Sequence, residues 1–231
     1  MLLTPLLLFD TTKHICMDSF VRAVERAGVV FIKAFQYLSH RRDMIGPELA
    51  DKFEYLRENA PTHSFKNTKE NFKKAYGKNI EDIFEEFDPV PIASGSVSQV
   101  YRAKYKGKKV AVKVRHPNVD KYIERDVNLM FFMSYLASFF SPAMELPVSQ
   151  HSLKRTLTEQ IDFTFEMRNL NKFNEMFKSH KDIKFPSPFE ETTVDSVLVE
   201  TYVEGVAVNY YERKPHHLNK VMARLGSTTF F

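Results

Sequence analysis

Two segments of the sequence carry residue types that could bind the phosphates of a nucleotide. Residues 93–98 read Ala-Ser-Gly-Ser-Val-Ser, and side chains this small let backbone N–H groups approach a phosphate closely. Lys113 follows about eighteen positions after Gly95, flanked by apolar residues in the strand-like run 110–114. Each feature alone has an ordinary alternative: a polar surface turn, and a lysine that extends to solvent. Their order along the chain favours a nucleotide site.

Acidic residues in the second half of the chain could hold such a lysine in place. Glu159, Asp162 and Glu166 are spaced i, i+3 and i+7, which puts them on one face if residues 149–178 form a single helix. Apolar residues in the same segment predict that this helix also buries a face. The three acids would then border a packed surface. The alternative is a solvated acidic stripe.

Two polar residues near the N-terminus interrupt a strongly apolar segment. Lys33 and Gln36 lie one helical turn apart within residues 29–36, which are otherwise almost entirely apolar. Polar groups on a buried helix face need polar partners, because burial without a hydrogen bond is costly. The pair is therefore a candidate for contact with another functional segment.

The elements that must position these residues follow from periodicity and from proline and glycine. A hairpin is predicted with its turn at residues 106–108, because two β-branched runs flank Lys-Gly-Lys. Residues 129–140 are too short to span a bilayer and predict a buried helix. The remaining predicted elements are one amphipathic helix over 20–38, helices over 47–60 and 68–76, a short acidic helix over 80–87, long helices over 119–140 and 149–178, a strand over 196–203 and a helix from 218.

Composition narrows the classes of protein and site that the chain can represent. The 231 residues are 43% hydrophobic, which predicts a globular core, and a net charge of +4 favours neither nucleic acid nor membrane. The single cysteine excludes a disulfide framework, and the eight histidines show no metal-ligand spacing, so no metal site is expected. Basic residues concentrate in residues 101–125, but without the stacking platform of single-strand binders, so no nucleic-acid partner is expected.

Four motifs, in order along the chain, resemble the UbiB/aarF-domain family of atypical kinases. Residues 27–36 resemble its KxGQ signature, and residues 91–103 resemble its alanine-rich nucleotide loop. Residues 160–166 resemble its ExD segment and the glutamate that follows, with Gln160 in place of the first glutamate. Residues 198–205 resemble its hinge. The sequence looks most like the mitochondrial aarF-domain-containing kinase 2 subgroup.

The resemblance implies an α+β fold, a protein-kinase-like N-lobe with a small antiparallel sheet and long helices. Residues 1–88 would form an N-terminal helical extension, 89–205 the N-lobe with its inserted helices and hinge, and 206–231 the start of a truncated C-lobe. ATP or ADP, with Mg²⁺ in the full-length family, would be the ligand. The family is linked to mitochondria, coenzyme Q and lipid metabolism, so a mitochondrial membrane or proteins of those pathways are implied partners, although the chain shows no targeting signal.

The resemblance also assigns roles to individual residues. Lys113 would bind α- and β-phosphates and be held by Glu166, and Lys33 and Gln36 would reach from the regulatory extension toward Asp162. Phe35 stands where the signature has a glycine, and it is expected to pack beneath the loop. The remaining nucleotide-binding positions would be Ala93, Ser94, Gly95 and Ser96 in the loop and Glu200 and Tyr202 in the hinge.

No catalytic residue is expected in these 231 residues, because they contain no catalytic-loop aspartate and asparagine and no metal-binding aspartate. The chain alone is therefore predicted to be inactive in phosphoryl transfer. The alternative function is a pseudokinase-like docking module that binds a protein or membrane partner through its helices and the basic segment 104–109.

Overall fold

A computed structural model of the chain describes residues 4–40, 42–55, 60–139, 146, 149–206 and 219–230. The helices are α1 Thr4–Ala27, α2 Val29–Leu38, α3 Arg42–Ile45, α4 Pro47–Tyr55, α5 Phe65–Tyr76, α6 Val119–Ser138, α7 Gln150–Ile161, α8 Phe163–Met176 and α9 Asn219–Phe230. The strands are β1 Glu86–Phe87, β2 Ala93–Ser94, β3 Ser98–Tyr105, β4 Lys108–Arg115 and β5 Val197–Thr201.

All described strands belong to one antiparallel sheet with the order β1-β3-β4-β5, and β2 also pairs with β3. The predicted hairpin is confirmed: β3 and β4 are joined at Lys106 and Gly107, which have φ angles of 49° and 73°. Positive φ at both central residues is the geometry of the tight turn that matches the twist of two strands. Together with the surrounding helices, the sheet confirms the predicted α+β N-lobe.

The two faces of the sheet have different neighbours. Val100, Lys113 and Leu198 are paired across β3, β4 and β5, so their side chains lie on one face. Tyr101, Val112 and Val199 form the next row, on the opposite face, and these three are fully buried. Helix α5 covers the Tyr101 face, with Phe72 in the same apolar cluster. The other face, which carries Lys113, contributes Leu198 to an apolar cluster with residues of α2, α6, α7 and α8.

Local sequence sets both ends of α5, the helix that packs on the Tyr101 face of the sheet. The Ser64 side chain caps its N-terminus by accepting a hydrogen bond from Asn67 N, and Gly77 ends it in the left-handed conformation with φ 67°. The helix predicted over residues 68–76 is confirmed at its end, while its start lies earlier, at Phe65. Although α5 falls within residues 1–88, its buried side chains belong to the core of the sheet, and the division at residue 88 stays a prediction.

The second apolar cluster joins the N-terminal helices to the lobe. Val30 of α2 and Val127 of α6 lie in it, and Leu198 of β5 brings in the Lys113 face of the sheet. Buried apolar area is the main source of stabilisation in such an arrangement. The cluster is completed by Val29, Val97, Val119, Ile123, Met130, Leu157, Ile161 and Phe163.

The single helix predicted over residues 20–38 is wrong, because the chain breaks at Gly28. Gly28 has φ +109°, which side-chain-bearing residues rarely adopt, and it separates α1 from α2. A Cβ at this position would lie 3.1 Å from Asp126 Oδ2 of α6, so glycine also permits close approach of the two segments. Apolar periodicity continues across the break and conceals it in the sequence.

The single helix predicted over residues 149–178 is also wrong. Asp162 has extended backbone (φ −97°, ψ 101°) between α7 and α8, and its carboxylate accepts a hydrogen bond from Thr164 N at 2.9 Å. It therefore acts as the N-cap of α8, where short polar side chains satisfy free N–H groups. Because of this break, Glu159, Asp162 and Glu166 do not share one helix face.

Two shorter predictions need correction. The acidic helix predicted over residues 80–87 is a single 3₁₀ turn, Ile80–Asp82, followed by β1. The helix predicted as buried over 129–140 does bury Met130, but Phe132, Met133 and Phe139 are more than half exposed. No helix in the described residues has the length and apolar character needed to cross a membrane.

Candidate nucleotide site

Lys113 and Glu166 form an ion pair between the sheet and the helical layer. Lys113 Nζ lies 2.5 Å from Glu166 Oε1, and the two side chains are 23% and 39% exposed. Glu166 stands in the first turn of α8, where the positive end of the helix dipole stabilises a carboxylate. The ammonium group also lies 5.9 Å from the centre of the buried Phe163 ring. The pair holds the lysine side chain extended at the edge of the core while leaving it partly accessible.

Arg115 forms hydrogen bonds at the break between α7 and α8, and this break places Glu166 over the sheet. Its guanidinium donates to Ile161 O at 2.8 Å and to Asp195 Oδ2 at 3.1 Å. Phe163 N, at the start of α8, donates to Asp195 O at 3.0 Å. The contribution of Arg115 is absent from the sequence prediction. Its position two residues after Lys113, on the same face of β4, was the available signal.

Glu200 adds a second carboxylate near Lys113. It follows Leu198 by two residues on β5, so it extends from the same face of the sheet. Burial raises its pKa, with a smaller contribution from the negative charge of Glu166, while Lys113 acts in the opposite direction. A partly desolvated carboxylate therefore lies on the same sheet face as the ion pair, and the predicted role of Glu200 in nucleotide binding stays a prediction.

Tyr202, the other hinge residue, makes its described contacts with Arg102. The guanidinium lies 5.2 Å from the centre of the Tyr202 ring and donates to its hydroxyl at 3.0 Å. Tyr202 N donates to Lys109 O at 3.1 Å, which continues the pairing of β5 with β4 beyond the strand end. These contacts fix the chain after β5. A direct role in binding a nucleotide stays a prediction.

The small-residue loop presents unused backbone donors. The N–H groups of Ser96 and Val97 form no hydrogen bond with any group that the structure describes. Gly95 N donates to Ser98 O at 2.9 Å, which closes the turn. Two successive free N–H groups suit an anion such as phosphate. Ala93 lies opposite Val100, which pairs with Lys113, so the loop begins two strands from the lysine, about 10 Å away.

Ser94 differs from its neighbours in the loop. Its side chain is buried, its hydroxyl donates to Pro61 O at 3.4 Å, and its carbonyl oxygen accepts a hydrogen bond from Ala60 N at 2.9 Å. These contacts tie the loop to the segment before α5. Because Ser94 is buried, the predicted contacts of the loop with a ligand would come mainly from Ala93, Gly95 and Ser96.

No described hydrogen bond or ion pair joins Lys33 to Asp162. Burial lowers the pKa of Lys33, and its ammonium forms no ion pair with any described residue. Asp162 caps α8, and the main-chain oxygen of Gln36 accepts a hydrogen bond from Ser39 Oγ at 2.6 Å. Phe35 stacks on Phe53 with ring centres 4.8 Å apart, so the expected packing of Phe35 beneath the loop is not observed. The roles of Lys33, Gln36 and Asp162 stay predictions.

The basic residues of the hairpin are largely neutralised. Lys104 pairs with Glu86 at 3.2 Å, and Lys106 pairs with Glu191 and Lys109 with Glu204, both at 2.7 Å. The concentration of positive charge in the sequence is thus spread into surface ion pairs, which contribute little to stability individually. This segment is a poorer docking surface than its composition indicates.

An open groove of about 560 Å³ adjoins the ion pair on the side of α7 and α8. Glu166 is part of its lining, together with Glu159 and Gln160 from α7 and Leu170 from α8. Within the described residues, no group of three or more potential ligands is arranged to hold a metal ion. The part of the site that the structure describes therefore consists of one cation, two carboxylates and the free loop amides.

Comparison with known proteins identifies the family. The protein family described as "ABC1 atypical kinase-like domain" matches residues 55–231, more than three quarters of the chain. The chain belongs to this family. A Dictyostelium discoideum protein named "Probable serine/threonine-protein kinase abkC" is 33% identical over 223 residues, covering 94% of this chain and 32% of the relative. The Schizosaccharomyces pombe "ABC1 family protein C21C3.03, mitochondrial" is 29% identical, covering 97% of this chain and 37% of the relative.

The ABC1 chain also has a structural relative. The solved complex of Rv3197 and erythromycin from Mycobacterium tuberculosis is 20% identical, with a TM-score of 0.54, and the match covers 89% of this chain and 52% of that one. This likeness is one of fold. Bacterial proteins named UbiB are among the other matches, in agreement with the family predicted from the motifs. The chain spans about a third of the length of the curated relatives described above.

Proposed function

We propose that this ABC1 chain binds the phosphates of ATP or ADP as the N-lobe of an atypical kinase. The observation that carries the proposal is the Lys113–Glu166 ion pair, with 2.5 Å between Nζ and Oε1, on the sheet face that also carries the start of the small-residue loop. A lysine held by a carboxylate next to a phosphate-covering loop is the arrangement that phosphoryl-transfer sites use.

Each group has a distinct part in the proposed binding. Lys113 supplies a positive charge, and Glu166 keeps its long side chain extended, which reduces the entropy lost on binding. The N–H groups of Ser96 and Val97 supply uncharged donors for phosphate oxygens. The described residues do not form a magnesium-ligand set, so the proposal rests on the protein's own cation and amides.

Thermal unfolding of the 231-residue chain with and without millimolar ATP or ADP tests the proposal. A ligand that binds only the folded state raises the unfolding temperature by mass action. We expect a rise for the natural chain and none for Lys113→Met. Lys108→Met, which removes an exposed lysine of the same strand, is the matched control and keeps the rise. A folded natural chain without any rise contradicts the proposal.

The wider biological role is proposed from the family. Kinase-type phosphoryl transfer would belong to the longer proteins, and we expect the 231-residue chain alone to turn over no ATP. A mitochondrial location is supported by the name of the fission-yeast relative, although the bacterial UbiB relatives have no such compartment. Membership of the kinase 2 subgroup and a link to coenzyme Q or lipid metabolism rest on the motif resemblance. Altered quinone content after deletion of the gene would support the latter.

The second candidate function is a docking module without nucleotide binding. The observation that favours it is the exposed apolar side of α6, where Leu129, Phe132, Met133 and Leu136 are each at least 45% exposed. The same unfolding experiment distinguishes the two, because a docking module folds normally and shows no stabilisation by ATP or ADP.

A further inference from the structure

A chain of buried and half-buried polar groups lies behind the small-residue loop, on the sheet face opposite Lys113. It starts at the Gly95 carbonyl, which is 2.9 Å from His116 Nε2, and continues through a 2.7 Å contact between His116 Nδ1 and His63 Nδ1. His63 Nε2 is 2.9 Å from Thr68 Oγ1, which is 2.6 Å from the Tyr101 hydroxyl. The Gln99 amide completes the chain by donating to that hydroxyl.

The Gln99 end fixes the direction of the hydrogen bonds. His63 N donates to Gln99 Oε1 at 3.0 Å and Gln99 Nε2 donates to His63 O at 3.2 Å, which sets the orientation of the amide. Gln99 Nε2 also donates to the Tyr101 hydroxyl oxygen, so the Tyr101 O–H donates in turn to Thr68 Oγ1. The Thr68 hydroxyl then donates its hydrogen bond to His63 Nε2, which must therefore be an unprotonated acceptor.

The hydrogen bonds at the Gly95 end run in the same direction as those at the Gln99 end. A carbonyl oxygen only accepts, so His116 Nε2 carries a proton and, in the neutral ring, His116 Nδ1 is an acceptor. His63 Nδ1 must then carry the proton between the two rings. Both ends therefore agree on one arrangement with both imidazoles neutral, and every donor and acceptor along the chain is satisfied.

We propose that His116 and His63 are positioning residues of the nucleotide loop, which hold the Gly95 carbonyl toward the Tyr101 side of the sheet. The C=O of Gly95 and the N–H of Ser96 belong to one planar trans peptide and point in opposite directions. Holding the carbonyl on the Tyr101 side thus turns the free N–H of Ser96 away from it. His116 N also donates to Val97 O at 2.8 Å, which fixes a second peptide of the loop. This inference rests on the proposed phosphate-binding function of the loop.

Acid disrupts the arrangement, because no site on the chain accepts an extra proton without reversing a hydrogen bond. A proton on His116 Nδ1 faces the His63 N–H, and a proton on His63 Nε2 faces the Thr68 hydroxyl proton. Burial lowers the pKa of His63 to about 4, with a smaller effect of His116, and burial also lowers the pKa of His116. The pair is thus neutral at pH 7, and protonation of either ring at lower pH breaks the arrangement of hydrogen bonds that fixes the His116 ring against Gly95.

The described groups that face the two rings supply no compensating charge. Thr68 from α5 and Gln99 and Tyr101 from β3 face the pair, and Tyr101 is the titratable group among them. Arg115, the residue before His116, directs its guanidinium to Ile161 O and Asp195. Asn71 of α5 donates to the Arg115 carbonyl oxygen and carries no charge. We therefore expect the loop to lose affinity for phosphate as the pH falls toward about 4, where His63 becomes protonated.

Nitrogen NMR of the histidine rings in the 231-residue chain tests the proton arrangement without any nucleotide. The expected result at pH 7 is an Nε2-protonated His116 and an Nδ1-protonated His63, both neutral. The opposite assignment, or a charged ring, overturns the inference. Hydrogen exchange adds a second measure, because the Gly95 N–H bonded to Ser98 O should exchange at least tenfold faster in His116→Phe.

The ligand measurement is the dissociation constant of ADP between about pH 4 and 8, a range that includes the His63 pKa of about 4. We expect at least fivefold weaker binding for His116→Phe at pH 7.5, with partial rescue by His116→Gln, whose amide can still donate to Gly95. His151→Phe, at an exposed position of α7, is the control. If the natural chain binds ADP and His116→Phe binds it equally well, the inference fails while the proposed function stands. If the folded natural chain binds no ADP at any pH, both fail.

Discussion

Arg115 of β4 donates a 2.8 Å hydrogen bond to the carbonyl oxygen of Ile161, the last residue of α7. This bond connects the central sheet to the point where the helical layer breaks. Glu166 follows the break by one helical turn and pairs with Lys113, which is two residues before Arg115 on the same strand. One strand therefore supplies both the cation of the site and the anchor of its carboxylate.

Replacing Arg115 should destabilise the fold and weaken the site together. Arg115→Met leaves Ile161 O without its donor, and we expect the free energy of unfolding to fall by about 1.5–3 kcal/mol. Because the anchor of α8 is lost, any stabilisation by ADP should fall as well. Urea unfolding with and without ADP measures both quantities, and Lys108→Met serves as the exposed control. Unchanged stability in Arg115→Met would contradict the anchoring role.

The interaction between Lys113 and Glu166 should appear as an energetic coupling. The two side chains are 23% and 39% exposed, so solvent screens the pair and we expect a coupling of about 1 kcal/mol. The measurement is a double-mutant cycle with Lys113→Met, Glu166→Gln and the double variant, each unfolded in urea. Fully additive effects would show that the two groups do not interact in solution.

Gly28→Ala should destabilise the junction between the N-terminal helices and α6. The change forces φ +109° on a residue with a side chain and brings its Cβ within 3.1 Å of Asp126 Oδ2, so we expect a loss of about 1–3 kcal/mol. Gly46→Ala is the matched control, because Gly46 has φ +79° but no atom within 4 Å of the added carbon. Equal losses in chemical unfolding of the two variants would rule out a contribution from Asp126.

The raised pKa of Glu200 gives a pH-dependent prediction. A carboxyl group with a raised folded-state pKa binds more protons in the folded state, so its effect on stability becomes unfavourable as the pH rises above the unfolded value near 4.5. Glu200→Gln should therefore raise the unfolding temperature at pH 7 and have little effect near pH 4. Glu204→Gln, at an exposed carboxyl whose pKa is lowered by Lys109, should not raise it. A destabilised Glu200→Gln at pH 7 would contradict the burial of this charge.

The sequence predicts the parts of the fold that depend on local patterns. The hairpin follows from two β-branched runs around Lys106-Gly107, and the end of α5 follows from Gly77, whereas its start at Phe65 lies before the predicted residue 68. The breaks at Gly28 and Asp162 are not predicted, because apolar periodicity continues across both. Phe35 is expected near the loop but packs on Phe53, a contact set by how α2 and α4 meet.

The candidate site also has a part that the sequence predicts and a part that it does not. Lys113 and Glu166 are predicted together through the family resemblance, and the structure places them in contact. The His63–His116 contact joins residues 53 positions apart and depends on the packing of α5 against the sheet, which periodicity does not specify. A single histidine in a polar segment gives no signal of a partner.

The most direct test of the central claim is amide NMR of the 231-residue chain titrated with ADP. Binding at the proposed site should shift the signals of Ser96 and Val97, whose N–H groups have no partner in the described structure, together with that of Lys113. The same titration of Lys113→Met should leave the loop signals in place. A well-dispersed spectrum of the natural chain in which millimolar ADP moves none of these signals would contradict the account.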